Sequence, residues 1–121
     1  MRRLSMTFPV SAPAIAAGIA AVGDRTHRER VFAHNRDVLR WFTREMTDLG
    51  LHVYPSQANF VLIRFDESAR PAQDAYRYLF ERGIVARMFA SPDYRNMVRV
   101  TIGLEPEMRA AATALRDYLR G

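Results

Sequence analysis

The chain has 121 residues, 49% of them hydrophobic and 26% charged, with ordinary counts of Gly 6 and Pro 6. That balance fits one small globular domain and excludes collagen-like and fully disordered chains. The formal charge is +5 and all 18 basic residues are arginine, so chemistry on an internal lysine is closed to this chain; Cys 0 removes disulfides, thiolate catalysis and cysteine zinc sites.

Met1 to Val10 holds Arg2 and Arg3, and the apolar stretch that follows is interrupted by Ser11 and Pro13, which makes a poor signal peptide. The apolar run around Ala14 to Val22 falls short of the ~20 residues that span a bilayer. The cytoplasm is the expected compartment, and no membrane partner is expected. Ser11 can cap a helix whose first turn tolerates Pro13, and Ala14, Ile15, Ala17, Gly18, Ile19, Ala21 and Val22 make it small and apolar on nearly every side. Such a helix requires close neighbours.

Asp24 or Thr26 can cap a second helix, in which Val31, Asn35, Val38, Leu39, Phe42, Met46 and Leu49 fall on one face. With Gly50 as its stop it extends about 35 Å, long enough to be a spine joining this unit to something outside it. Leu51 to Tyr54 reads as a short strand. Phe60 to Phe65 reads as another, with Phe60 to Ile63 buried on both sides. Pro71 opens a helix carrying Ala72, Ala75, Tyr76, Leu79 and Phe80, which Gly83 closes. Ile84 to Met88 and Met97 to Ile102 read as strands. Glu105, Pro106 and Glu107 start a last helix that buries Met108, Ala111, Ala112, Leu115 and Leu119. The expected fold is α+β, an α/β layer in which a small mixed sheet is covered by helices and preceded by a long helix of interdomain type. One domain, 1–121, is expected, made of a connecting segment and helix (1–23), the long helix (24–50) and an α/β sandwich (51–121).

No Gly-rich phosphate loop, nucleophile elbow or zinc helix is present. His27, His34 and His52 are too far apart to meet on one helix turn, and they read as surface or boundary residues with no metal to hold. Aromatic residues interleave with arginine, but Phe42, Phe60 and Phe80 fall on predicted core faces, so nucleic acid is not the expected partner. Arg87 and Arg99 differ from the other arginines because they lie on or at the end of apolar strands, where a charge is costly unless it meets an anion or an acid. Alternation turns Arg99 away from Val98 and Val100, and on pattern alone either arginine can equally point to solvent from a one-sided sheet.

Four ordered segments, Val10 to Ala17, Pro55 to Leu62, Arg82 to Arg87 and Val98 to Gly103, resemble the C-terminal part of histidinol-phosphate aminotransferases, within the fold-type I pyridoxal-phosphate class. The resemblance covers essentially the whole chain. It implies that Arg99 is the arginine that grips the donor carboxylate or the substrate phosphate, with Arg87 as a second phosphate ligand, and that the long helix is the interdomain spine. It also implies that the residues binding pyridoxal phosphate, including its lysine, lie upstream. No covalent cofactor and no catalytic residue is therefore expected on this chain. The implied partners are an amino acid, a phosphate-bearing substrate, the missing cofactor domain and, for the complete enzyme, a second copy. The competing reading is a stand-alone, non-catalytic module for anion binding or assembly.

Overall fold

Caps and stops set the elements in the computed structural model, which describes residues 9–121. The stretch with Arg2 and Arg3 lies outside the described residues. Ser11 Oγ accepts the Ala14 N–H at 3.4 Å and starts helix α1 (Ala12–Gly23). Asp24 Oδ1 accepts the His27 N–H at 2.9 Å at the start of α2 (Arg25–Asp48). Gly50 at φ 85° and Gly83 at φ 74° take the left-handed turns that release the chain after α2 and α3 (Ala72–Phe80). The remaining elements are strands β1 (His52–Val53), β2 (Phe60–Arg64) and β3 (Met97–Thr101), a short 3-10 helix (Pro92–Tyr94) before β3, and helix α4 (Glu105–Arg120).

The chain divides into two compact units at a boundary between Ala33 and His34, which falls within α2. In the first unit α1 buries none of its side chains, and Ile15, Ile19 and Val22 are exposed. No helix among the described residues is long and apolar enough to cross a membrane.

The second unit, His34–Gly121, is an α+β layer. Its sheet has the order β1-β2-β3, and every pairing is antiparallel. Val61 and Ile63 stand opposite Val100 and Val98, and all four are buried. They join Val38, Phe42 and Met46 of α2, Leu79 of α3, and Met108 and Leu115 of α4 in one core. Each large side chain removed from water here contributes roughly 1.5–3 kcal/mol. The Arg116 guanidinium donates to Glu45 Oε2 at 2.6 Å, linking α4 to α2 at the rim.

Four expectations change. Phe60 to Ile63 is not buried on both sides: Val61 and Ile63 are inside, whereas Phe60 and Leu62 are half-buried on the other face, outside the core cluster. Ile84 to Met88 is reduced to a single bridge at Arg87, although β3 continues on both sides of Arg99. The segment at Arg87 runs antiparallel to β3, which separates it from β2, so the sheet is antiparallel rather than mixed at each ladder. Phe80, read as a core residue, is 58% exposed because Ala72, Ala75 and Leu79 define the buried stripe of α3 and Phe80 is one step around the helix.

Candidate functional site

Alternation places Phe60, Leu62 and Arg99 on the face of the sheet opposite the core. Leu62 is directly across from Arg99 on one side. On the other side, Arg87 is directly across from it, joined by two backbone hydrogen bonds: the Arg87 N–H donates to the Arg99 carbonyl at 2.9 Å, and the Arg99 N–H to the Arg87 carbonyl at 2.9 Å. Residues paired in this way project from the same face, so two permanent positive charges face each other across the bridge. Like charges directly opposite destabilise a sheet.

Neither charge is neutralised by a neighbour. The ion pairs among the described residues use Arg36, Arg77, Arg95, Arg109 and Arg116. Arg99 Nε is buried without a hydrogen-bond partner, and the guanidinium carbon sits 5.1 Å from the centroid of the Phe60 ring. A carboxylate or phosphate oxygen would supply what this pair lacks, because each guanidinium offers parallel donors to an anion. Phosphate near neutral pH carries about two negative charges, which matches two arginines.

A hollow of about 500 Å³ is lined by Tyr54, Ser56, Phe60, Leu62, Tyr94 and Met97; neither arginine lines it, but Phe60, whose ring lies under the Arg99 guanidinium, and Leu62, the partner of Arg99 across the strand pair, both do. Its wall is held by Ser56, whose hydroxyl donates to the Phe60 carbonyl at 2.6 Å and accepts the Ala58 N–H at 3.1 Å. The second hollow, about 410 Å³, includes His52, Arg64, Asp66 and Glu67. There the Ser68 hydroxyl and N–H hold the Asp66 carboxyl below the ordinary aspartate range. No cluster of His, Cys, Asp and Glu suited to a metal occurs among the described residues. His34 Nε2 lies 3.0 Å from the Gly103 carbonyl, and His27 and His52 are exposed.

The structure therefore brings both sequence-predicted residues together, and it adds Phe60, which the sequence reading had placed in the core. The period-two signal that turned Arg99 outward applies equally to β2, but the continuous apolar run of Phe60 to Ile63 conceals which face is closed.

The family described as Aminotransferase class I and II matches residues 1–115. The chain belongs to this family. Among aminotransferases it is similar to the histidinol-phosphate aminotransferase of Rhodospirillum centenum, with 40% identity over 121 residues, 100% of this chain and 33% of that relative. The histidinol-phosphate aminotransferase of Nitrobacter winogradskyi is also 40% identical, over 120 residues, covering 98% of this chain and 33% of the relative. Among solved structures, the histidinol-phosphate aminotransferase from Sinorhizobium meliloti, in complex with pyridoxal-5'-phosphate, superposes with a TM-score of 0.77 at 28% identity, over 98% of this chain and 33% of that one. The chain thus spans about a third of the length of the curated aminotransferases it matches.

The donors present here do not fit the covalent site of pyridoxal phosphate. That site needs a lysine amine, and all 18 basic residues of this aminotransferase chain are arginine.

Proposed function

We propose that this chain is the C-terminal, small-domain portion of a pyridoxal-phosphate-dependent aminotransferase of the histidinol-phosphate type, and that Arg99 and Arg87 bind the substrate anion. The complete cytoplasmic enzyme, a homodimer, would exchange an amino group between glutamate and imidazole-acetol phosphate in histidine biosynthesis. The lysine and the other cofactor contacts come from the rest of the same gene or from a partner in trans. Similarity over the whole chain to aminotransferases of that name supports this reading.

The observation that carries it is the Arg87–Arg99 bridge, two arginines opposed across one strand pairing and absent from the ion pairs of the described residues. The strand pairing fixes the two backbones side by side, so both side chains start from the same face and can converge on one anion, with the ordering of their rotatable bonds opposing binding. Arg99 would grip the carboxylate of the amino-acid donor or the phosphate of the acceptor with two parallel bonds, and Arg87 would add a second contact to phosphate.

Two measurements test this. Titration of the purified chain with inorganic phosphate is expected to saturate, and Arg99→Gln to weaken that binding; an unchanged affinity in the variant would refute the anion site. Sequencing the DNA upstream of the Met1 codon is expected to show an in-frame or frameshifted stretch that encodes a cofactor lysine. An unrelated upstream gene would favour a stand-alone anion-binding module instead. Turnover by the pure chain with added pyridoxal phosphate would contradict both readings.

A further inference from the structure

Arg99 lacks the carboxylate that ordinarily orients a functional arginine. Its guanidinium carbon lies 5.1 Å from the centroid of the Phe60 ring, and Leu62 is the residue directly across the strand pair from it. Phe60 is opposite Thr101 in the register, so it reaches Arg99 as the diagonal neighbour two residues along β3. The core does not require this ring, because Val61 and Ile63 are the β2 residues that meet the helices. Nor is it an isolated surface aromatic: it lines the hollow of about 500 Å³, and its carbonyl is tied to Ser56 at 2.6 Å.

We propose that Phe60 is a positioning residue for anion binding, holding the Arg99 guanidinium against its ring at the border of the hollow. This rests on the reading of Arg99 as the anion-binding arginine. An acidic side chain would orient Arg99 by occupying its N–H donors and cancelling its charge. An aromatic ring attracts the cation through its quadrupole, leaving both the charge and the donors for the ligand. The Phe60 backbone is itself held by its pairing with Thr101 and by Ser56, so the ring is a fixed support for a side chain that carries several rotatable bonds. A branched aliphatic residue at position 60 would fill similar space without the quadrupole.

The experiment compares the unmodified chain with Phe60→Leu, Phe60→Trp and Arg99→Gln in calorimetric titrations with inorganic phosphate, with unfolding curves recorded for each. Phe60→Leu is expected to weaken phosphate binding by about three- to tenfold, and Phe60→Trp to return it to within about twofold of the unmodified chain. A merely structural role would not be rescued by a ring of different size. Nuclear magnetic resonance of the unmodified chain supplies a readout that needs no variant: the Arg99 side-chain signals are expected to be displaced by the ring current of Phe60. Undisplaced signals, or a Phe60→Leu chain that binds phosphate as tightly as the unmodified one while Arg99→Gln does not, would overturn the proposal and leave the anion site standing. If Arg99→Gln also binds unchanged, the anion site itself falls and the role of Phe60 with it.

Discussion

The two faces of the sheet are built from alternate residues of the same two strands, yet their chemistry is opposite. On one face Val61, Ile63, Val98 and Val100 are buried against α2, α3 and α4. On the other, Phe60, Leu62 and Arg99 stay half-exposed, Arg87 is opposed to Arg99, and a hollow opens beside them. The first face stabilises the fold. The second sets like charges opposite each other, an arrangement that does not favour folding and that the proposed anion site would account for.

The largest expected effect tests whether this division holds between neighbouring residues. Ile63→Ala removes a fully buried side chain and is expected to lower unfolding free energy by about 2–5 kcal/mol, measured by urea denaturation. Leu62→Ala, one residue away but on the open face, is expected to cost less than about 1 kcal/mol. Equal losses would show that the open face is also a packed one.

Next in size is the effect of charge on the open face. Arg99→Gln is expected to lower phosphate affinity by about 1.5–3 kcal/mol, the usual worth of hydrogen bonds to charged groups, and Arg87→Gln by less because Arg87 is the more exposed of the two. In the absence of phosphate neither variant is expected to lose stability by more than about 0.5 kcal/mol, since each removes one of two opposed like charges. Denaturation with and without phosphate separates the two effects.

Much of this contrast is legible locally. The Val98–Arg99–Val100 alternation turns Arg99 outward without reference to any other strand, and Ser11, Asp24, Gly50 and Gly83 mark helix boundaries that the structure places within three residues. What local pattern cannot supply is register. That Leu62 and Arg87 both lie directly across from Arg99 depends on contacts between distant parts of the chain. Phe60 shows the same limit, because an apolar residue in an apolar run carries no mark of the face it occupies until the covering helices are placed. Tyr118, unmarked among the residues of the last helix, is buried and donates its hydroxyl to the Pro71 carbonyl at 3.1 Å.

That tyrosine gives the closed face a pH limit. Burial lifts the Tyr118 phenol above its ordinary value, the negative charge of Asp74 adds to the rise and Arg70 opposes it. A proton held more tightly in the folded state means that the stability linked to Tyr118 is fully present below about pH 10 and is lost as pH rises through the folded value. Tyr118→Phe is expected to cost about 1 kcal/mol at neutral pH through the lost hydrogen bond and to flatten the decline in stability at alkaline pH. An equally steep alkaline decline in the variant would assign the effect to other groups.

The smallest expected effect lies where the chain leaves the sheet for the helix layer. Glu107 folds back so that Oε2 accepts the Leu104 N–H at 2.8 Å, satisfying a donor at the start of α4, and a Cβ at Gly103 would collide with that same oxygen. The obstructing atom is the end of a flexible side chain, so Gly103→Ala is expected to displace the carboxylate rather than the backbone and to cost about 0.5–1 kcal/mol, comparable with Glu107→Ala. Both substitutions would then remove one interaction, and the double variant should cost little more than either single one. Additive costs would mean instead that alanine at position 103 disturbs the other contact made there, the Gly103 carbonyl at 3.0 Å from His34 Nε2, and that the junction between the strand and the helix layer depends on α2 as well as on the cap.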